Sequence, residues 1–388
     1  MKIVIDARES GTSTGRYTDK LIEHMYRLRP NHEIVVLTKA HRLKFFKDIA
    51  PTFKVIESPY KEFTFDEQLA LKKQLDSLAA DLVHFSMVQQ PVRYRGKTVT
   101  TMHDLTTIRF RNPDKNPIVY FLKQKVYAWV NKKAARKAAA VITPTQFVKD
   151  DVAKFTKIKP SKITVTYESA DAITEPAEPV NGLENAQYIM YVGRPTPHKN
   201  LERLIEAFVD IQKTKPDLKL VLAGKKDANY DRIEQSVIKK GIQNIIFTGF
   251  ISDGQLRWLY EQTAAYVFPS LSEGFGLPGL EAMVHDAPVV SSDATCLPEV
   301  YGEAAHYFKP LDVADMAAKI TEVIDDEELR QKLIALGRAQ TTKYSWRRTA
   351  EQTLAIYDRV LNNIPLEEAK PETKKDTKKK PAEAKPEK

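Results

Sequence analysis

Short runs of Val, Ile and Leu alternate with longer amphipathic stretches through the first 170 residues. The apolar runs predict seven strands at 2–7, 33–38, 53–57, 82–85, 98–103, 140–144 and 163–167. Helical periodicity between them predicts helices near 15–28, 66–79, 118–139 and 146–156. Because the strands are apolar almost throughout, they favour a parallel sheet that is covered by helices on both faces.

The pattern breaks after residue 170 and then restarts. Residues 171–186 are rich in Pro and Glu without apolar periodicity, which predicts a linker. The second series predicts strands at 188–192, 218–223, 245–248, 266–268 and 288–291, with helices near 200–213, 253–263 and 277–285. We therefore predict an α/β protein with two doubly wound, Rossmann-like domains, at 1–170 and 187–343, that face each other across a cleft. A helix at 344–363 and a tail at 364–388 follow.

Composition narrows the class of protein. The 388 residues are 42% hydrophobic and 29% charged, as in ordinary globular proteins, and no run of 18 apolar residues predicts a membrane span. One cysteine, Cys296, excludes a disulfide framework and a Cys-based zinc cluster. Asp6 interrupts the N-terminus too early for a signal peptide, so we expect a cytoplasmic protein. The formal net charge of +9 indicates an anionic partner, and the Lys, Glu and Pro composition of the tail predicts disorder.

Candidate functional residues follow several predicted strands, at the edge where parallel sheets bind ligands. Gly15 opens the first helix after a glycine-containing turn, which suits either a ligand approach or a flexible turn. His103 ends the fifth strand, where it suits a sugar or phosphate contact with Asp104 as a residue that could orient it, or a purely structural role. His84 is a weaker candidate of the same kind.

The second domain offers two further segments. Arg194 and Lys199 lie five residues apart in one strand-to-helix turn, where they could converge on a diphosphate or simply form a solvated basic loop. The segment Glu273-Gly-Phe-Gly-Leu-Pro-Gly-Leu-Glu281 places glycines and a proline at the start of a helix. Free backbone N–H groups there suit a phosphate, and the two carboxylates suit sugar and ribose hydroxyls. The alternative is a capping Glu followed by a solvated one.

The helix over 118–137 combines Tyr120, Phe121, Tyr127 and Trp129 with six Lys and Arg residues. Such a composition is typical of a helix that lies on an anionic membrane surface. A core helix with a basic solvent edge is the alternative, and the sequence favours it.

With these motifs the chain, from about residue 2 to 361, resembles the retaining GT-B glycosyltransferases of glycosyltransferase family 4, in particular its mannosyltransferases. Glu273 and Glu281 match the E-x7-E signature of the family, and Arg194 and Lys199 match its basic pair. Gly15 resembles the family's N-terminal glycine loop, and His103 its acceptor-side histidine. Asp286-Ala287-Pro288 departs from the glycine that often precedes the next strand.

The resemblance implies an enzyme that moves a hexose from a nucleotide diphosphate sugar to a saccharide or lipid-linked acceptor in cell-envelope glycan synthesis. His103, Glu273, Arg194 and Lys199 would act in catalysis. The donor would contact residues of the glycine loop, the basic pair and the helix start: Gly15, Arg194, Lys199, Phe275, Gly276, Leu277 and Glu281. GDP-mannose is the favoured donor and UDP-glucose the next. The resemblance implies no metal and no cofactor, and a C-terminal helix that crosses back to the first domain.

Other functions remain open at this point. A nucleotide-sugar epimerase or hydrolase can share the same fold, and so can a protein that binds nucleotide sugars without turnover. Peripheral contact with the inner face of the membrane is compatible with the basic charge. Nucleic-acid binding is not expected, because no aromatic-basic motif of a nucleic-acid-binding fold supports it.

Overall fold

The computed structural model describes residues 1–12, 14–110 and 117–366, so the predicted disorder of the tail lies outside the described residues from 367 onwards. Two wholly parallel sheets form the framework, as the apolar strands predict. The chain between Val165 and Tyr188 contains no helix or strand. In the described part of the chain, no helix is both long and apolar enough to cross a membrane.

The first sheet has seven strands in the order β3-β2-β1-β4-β5-β6-β7. The strands are β1 (Lys2–Asp6), β2 (Glu33–Thr38), β3 (Lys54–Glu57), β4 (Leu82–Phe85), β5 (Thr98–Thr101), β6 (Ala140–Thr143) and β7 (Ile163–Val165). Neighbouring strands pair apolar residues in register, as Val4 does with Val35. The strands are apolar because helices cover both faces of the sheet. The chain order reverses between β1 and β4, which opens a crevice at the carboxyl ends of these strands.

Among the described residues of this part of the chain there are six α-helices: α1 (Arg16–Arg27), α2 (Leu43–Ile49), α3 (Phe65–Leu78), α4 (Thr106–Arg109), α5 (Pro117–Lys137) and α6 (Gln146–Thr156). Thr64 and Thr145 cap α3 and α6 by accepting hydrogen bonds from backbone N–H groups in the first turn. Helix α2 was not predicted from the sequence. It is only seven residues long, too short for helical periodicity to show.

The second sheet has six strands in the order β10-β9-β8-β11-β12-β13 and repeats the same reversal between β8 and β11. The strands are β8 (Tyr188–Val192), β9 (Lys219–Ala223), β10 (Ile245–Gly249), β11 (Ala265–Phe268), β12 (Val289–Ser292) and β13 (Ala305–Phe308). The helices are α7 (Leu201–Gln212), α8 (Ala228–Lys239), α9 (Asp253–Gln262), α10 (Leu277–Val284), α11 (Leu297–Tyr301), α12 (Val313–Asp325) and α13 (Glu327–Thr341). The sequence did not predict β13, α8 or α11–α13. His306 interrupts the apolar run of β13, which hides that strand.

A final helix, α14 (Trp346–Leu361), crosses back to the first sheet, as the family resemblance implies. Ser345 caps its N-terminus, and its apolar side packs against α1. Trp346 and Tyr357 lie within the core of the first sheet. The Tyr357 hydroxyl is 2.6 Å from Nδ1 of His84. The two sheets are therefore joined twice, once by the connection after β7 and once by this helix.

Candidate functional site

The carboxyl ends of the two sheets face each other, and the loops that follow their central strands make direct contact. Backbone atoms of Gly274 approach the carbonyl oxygen of His103 so closely that a Cβ on Gly274 would lie 2.0 Å from that oxygen. The Thr145 hydroxyl donates a 3.0 Å hydrogen bond to the Gly274 carbonyl, and the hydroxyls of Thr106 and Ser272 are 2.9 Å apart. A glycine at 274 is thus required for this contact between the loops.

Lys199 and Glu273 form the central ion pair of the second sheet. Lys199 ends the short turn after β8 and Glu273 lies in the loop after β11, with Nζ 2.5 Å from Oε1. Both side chains are largely shielded, since their exposures are 18% and 13%. The loops are held together by a 2.7 Å bond from the Leu271 N–H to the His198 carbonyl. Two residues that the sequence predicted separately therefore form one charged pair at the mouth of the site.

Arg194 has a different partner in this structure. Its Nε is 2.8 Å from Oδ2 of Asp227, the residue that caps α8, and its side chain is 74% exposed. Burial opposes ionisation of Asp227, but the hydrogen bond from Arg194 lowers the pKa of that carboxyl. The sequence expectation that Arg194 and Lys199 share one anion therefore requires Arg194 to leave Asp227.

Helix α10 presents its N-terminus to the same cleft. Gly276, with φ of +91°, is its cap residue, and no side chain caps the first turn. The Tyr301 hydroxyl donates a 2.5 Å bond to the Gly276 carbonyl and would lie 2.5 Å from a Cβ there. Pro278 has no N–H and the Gly279 N–H donates to the Gly276 carbonyl at 3.2 Å, which leaves the Leu277 N–H at the helix start for an anion. The Phe275 ring instead packs edge-on against Tyr344, at 5.5 Å between centroids, so any ligand contact at 275 would come from its backbone.

Glu281, one turn into α10, forms an ion pair with Arg16 of α1 and so connects the two sheets directly. Its side chain is 13% exposed, against 38% for Arg16. Burial raises the pKa of the nearby Tyr260 well above its ordinary value, and the Glu281 carboxylate raises it further. Arg16 was not singled out from the sequence, because a partner 265 positions away leaves no local signal.

His103 is held between two hydrogen-bond acceptors. Nδ1 is 3.1 Å from Oε1 of Glu168, and Nε2 is 3.1 Å from the Ser86 carbonyl oxygen. Burial alone would lower the pKa of His103, but the bond and charge of Glu168 and the Ser86 carbonyl raise it above the ordinary value. The ring of Tyr17 packs edge-on at 4.7 Å. An imidazolium that donates from both nitrogens satisfies this geometry.

The expectation that Asp104 orients His103 is not met. Oδ1 of Asp104 accepts a 2.7 Å bond from the Thr106 N–H, a local turn contact just before the short helix α4. Glu168, just past the last strand of the first sheet, binds the imidazole instead. Sequence reasoning missed Glu168 because it lies at the start of a segment rich in Glu and Pro that reads as a connection.

His84 has a structural role. It is fully buried between the Tyr357 hydroxyl and the Thr101 hydroxyl, 2.8 Å from Nε2. Burial lowers the pKa of His84 to about 3, and the charge of His103 lowers it further. A neutral imidazole here links α14 to the first sheet.

Gly15 begins α1 where the preceding turn folds back on itself. A Cβ at this position would lie 1.9 Å from the Glu9 carbonyl oxygen, so close backbone packing alone requires glycine. This observation favours the turn interpretation of Gly15, although its helix opens beside Arg16 of the interdomain ion pair. Within residues 1–12, 14–110 and 117–366, no group of three or more His, Cys, Asp or Glu side chains is arranged to hold a metal ion.

Comparisons with known proteins agree with this architecture. The family model "Glycosyltransferase Family 4" matches residues 14–172, and "Glycosyl transferases group 1" matches residues 174–340. O-antigen chain mannosyltransferase B of Escherichia coli is 30% identical over 67% of this chain and 70% of its own length. The serotype-specific mannosyltransferase WbdA of the same species is 31% identical over 69% of this chain, which spans only 34% of that relative.

Solved structures share the fold at low sequence identity. Sucrose-phosphate synthase from Thermosynechococcus elongatus superposes with a TM-score of 0.74 at 17% identity, covering 94% of this chain and 100% of the other. Anabaena HepE in complex with UDP-glucose gives 0.70 at 16% identity, over 92% and 99% of the two chains. Two facing parallel sheets, a returning C-terminal helix and both family models lead to one conclusion: the chain belongs to the GT-B glycosyltransferases of the family 4 type.

Proposed function

We propose that this glycosyltransferase moves a hexose, with retention of anomeric configuration, from a nucleotide diphosphate sugar to a saccharide or lipid-linked acceptor in cell-envelope glycan synthesis. The observation that carries the proposal is the Lys199–Glu273 ion pair between the loops after β8 and β11. A shielded cation at the carboxyl edge of a doubly wound sheet is a site for a phosphate.

Donor binding would exchange the partners of these charges. The diphosphate would replace Glu273 beside Lys199, recruit Arg194 from Asp227, and accept bonds from the N-terminus of α10. Glu273 would then be free to accept hydrogen bonds from hydroxyls of the transferred sugar. Ribose hydroxyls would take the place of Arg16 at Glu281. Each carboxylate would thus keep a donor in both states, which avoids leaving a shielded charge unpaired.

In the transfer step the acceptor oxygen attacks the anomeric carbon on the face from which the diphosphate leaves. The bond from that carbon to the phosphate oxygen breaks, and the nucleoside diphosphate receives the electron pair and the acceptor proton. Lys199 and the helix N-terminus would stabilise the charge that develops on the leaving group. In this arrangement basic groups take the place of a metal. The imidazolium of His103 would face the sugar from the opposite wall, and Nε2 would exchange the Ser86 carbonyl oxygen for a sugar hydroxyl when it donates to the substrate.

The favoured donor is GDP-mannose. Its support is the similarity to O-antigen mannosyltransferases, whereas the HepE structure contains UDP-glucose. Thermal unfolding with GDP, UDP and the two sugar nucleotides tests the choice, since a ligand at 100 times its Kd stabilises by about 2.7 kcal/mol. Stabilisation by UDP-glucose but not by GDP-mannose would reverse the assignment. We further propose a cytoplasmic location with peripheral contact to the inner face of the membrane.

Replacement of Lys199 by Ala tests whether the cation of the Lys199–Glu273 pair binds the donor diphosphate. Loss of a charge-assisted contact of about 1.5–3 kcal/mol lowers the transfer rate at least tenfold. Lys213→Ala is the matched control, because Lys213 lies at the other end of α7 with a 71% exposed side chain. Transfer is followed as acceptor glycosylation, with the anomeric configuration of the product read by NMR. Near-wild-type transfer by a folded Lys199→Ala variant refutes the proposal, as does release of free sugar in place of acceptor glycosylation.

A further inference from the structure

Helix α5 buries small residues and exposes large ones. Its core side contributes Asn131, Ala134 and Ala135, which are 4% exposed or less, whereas Phe121 and Trp129 are 57% and 55% exposed. An ordinary amphipathic helix does the reverse, because large apolar side chains gain most from burial. The alternative in which the aromatic residues of this helix belong to the core is therefore wrong for Phe121 and Trp129. The side chain of Tyr120 lies outside the described residues.

Helix α3 extends the same surface. Phe65 and Leu69, one turn apart, are 85% and 58% exposed, and Phe63 in the preceding turn is 64% exposed. The Phe63 ring lies 5.7 Å from the ring of Tyr127, so the start of α3 adjoins the middle of α5. We call the exposed residues of these two helices the aromatic–lysine face: Phe63, Phe65, Leu69, Phe121, Lys125, Val126, Trp129 and Lys133.

The lysines of this face alternate with its aromatic residues. Phe121, Lys125, Trp129 and Lys133 follow at intervals of four residues, which places them along one side of α5. The Lys125 ammonium lies 4.5 Å from the centre of the Phe121 ring. No acidic residue occurs between Asp114 and Asp150, and that stretch contains eight Lys and Arg. Asp66 is one exposed carboxylate at the start of α3.

A cluster of like charges lies at the C-terminal end of α5. Burial lowers the pKa of Lys137, and the charges of Lys133, Lys72 and Arg95 lower it further. Asp76 forms an ion pair with Lys72 at 2.5 Å. One carboxylate among these four cations leaves three positive charges in excess. Cations that crowd one another in this way are complementary to a surface of high negative charge.

We propose that the aromatic–lysine face binds the surface of an anionic lipid bilayer. Its aromatic and aliphatic side chains would enter the boundary between headgroups and acyl chains, and its lysines would contact the headgroup phosphates. A bilayer suits this face better than a folded partner does. Isolated rings interleaved with flexible lysines form no continuous apolar core of the kind that protein interfaces bury.

The position of the aromatic–lysine face relates contact with a bilayer to the transfer reaction. Gln124 of α5 donates a 2.6 Å hydrogen bond to the Thr107 carbonyl, and Tyr127 packs against the cluster that includes Met102 and Leu105, so α5 adjoins the loop that contains His103. Docking would therefore turn the His103 side of the cleft towards the bilayer. The inference deepens the proposed function, on which it rests only for this last step, because it supplies a reason for a lipid-linked acceptor. Binding to vesicles requires no assumption about the donor or the transfer chemistry.

The test is co-sedimentation of the full chain with phosphatidylcholine vesicles that contain about 30% phosphatidylglycerol, and with phosphatidylcholine alone. The wild type is expected to partition onto the anionic vesicles. Lys125→Gln/Lys133→Gln is expected to lower the partition coefficient at least tenfold, since one lysine near the surface contributes about fivefold. Phe65→Ser/Trp129→Ser is also expected to lower it at least tenfold, since one large apolar side chain that enters the interface contributes about tenfold or more. All four side chains are exposed, so the fold should tolerate these changes.

The matched control is Ile238→Ser/Lys239→Gln, which removes one exposed apolar and one exposed basic residue from α8 of the second sheet. The control is expected to bind vesicles as the wild type does. The tail is identical in every variant, so it cannot produce a difference between them. Absence of wild-type binding to anionic vesicles, or equal binding by the face variants, overturns the proposal. A wild-type dimer that the face variants abolish, without vesicle binding, assigns the face to a second copy of the chain.

The donor-induced thermal shift separates this inference from the proposed function. Face variants that lose vesicle binding should keep the same stabilisation by sugar nucleotide as the wild type. Vesicle binding without any glycosyl transfer would refute the proposed function and leave the docking surface intact.

Discussion

Replacement of Glu168 by Gln should change how the stability of the protein depends on pH. Glu168 is 3.1 Å from Nδ1 of His103 and almost completely buried. A charge-assisted hydrogen bond contributes about 1.5–3 kcal/mol and a neutral one about 0.5–1.5 kcal/mol. Because the Gln amide oxygen can still accept from Nδ1, the substitution should lower the free energy of unfolding by about 1–2 kcal/mol at pH 5.5.

The sign of the pH dependence follows from the raised pKa of His103. The imidazolium contributes stability that is fully present below the unfolded pKa of about 6.5 and is lost as the pH rises through the higher folded pKa. The wild type should therefore lose stability over that interval. The free energy of unfolding of Glu168→Gln should depend less steeply on pH, because without the carboxylate the pKa of His103 is lower. The stability curves of the wild type and the variant should therefore approach each other at high pH.

Urea unfolding between pH 5.5 and 8.5 measures this difference, and the NMR shift of the His103 ring proton reports its pKa directly. The matched control is Glu322→Gln, since Glu322 pairs with Nε2 of His306 at 2.7 Å on the exposed surface. Solvent screening should make its effect smaller than that of Glu168→Gln. A His103 that titrates at or below about 6.5, or pH curves that run parallel, would refute the reasoning.

Three further outcomes are expected. Gly274→Ala should reduce transfer strongly, because its Cβ would lie 2.0 Å from the His103 carbonyl oxygen and would push the two loops apart. Small-angle scattering should then show a more open molecule. An unchanged scattering profile with full activity would contradict this prediction. Arg16→Ala should lower the free energy of unfolding by about 1–3 kcal/mol, because the shielded Glu281 carboxylate loses its ion partner. The same variant should tighten sugar nucleotide binding at least about fivefold in calorimetry, because Glu281 no longer has to exchange Arg16 for ribose. Weaker binding would instead make Arg16 a donor contact. Cys296 is fully buried and burial raises the pKa of its thiol, so iodoacetamide should label it only after unfolding; rapid labelling of the native protein would argue against this environment.

Local patterns predicted most of the framework. β8 has the bounds 188–192 that its apolar run predicts, and α6 has the predicted bounds 146–156. Both elements are bounded by residues with strong local preferences, such as the capping Thr145 of α6. Helices α12 and α13, which the sequence analysis missed, follow β13, and without that strand the alternation no longer indicated where a helix should begin. Helices α2, α8 and α11 were missed as well, although they precede β13.

The candidate site likewise contains residues that local sequence predicts and partners that it does not predict. Gly276 and Pro278 predict the start of α10. Glycine permits the positive φ of the cap residue, and proline suits the first turn of a helix. The partners of the predicted residues could not be found along the chain. Lys199 pairs with Glu273, 74 positions away, and His103 pairs with Glu168, 65 positions away.

The sequence by itself determined the two parallel sheets and the strand ends at which charged residues collect, and the family resemblance added the helix that returns to the first sheet. Period and capping are local properties, so they can be read without knowing how the chain folds. Only the tertiary structure decided that Arg16 pairs with Glu281, that Asp104 accepts from the Thr106 N–H while Glu168 binds His103, and that Trp129 faces outward. These outcomes depend on which surfaces meet when the sheets come together, and pairing between residues that are distant in the chain leaves no periodic pattern in the sequence.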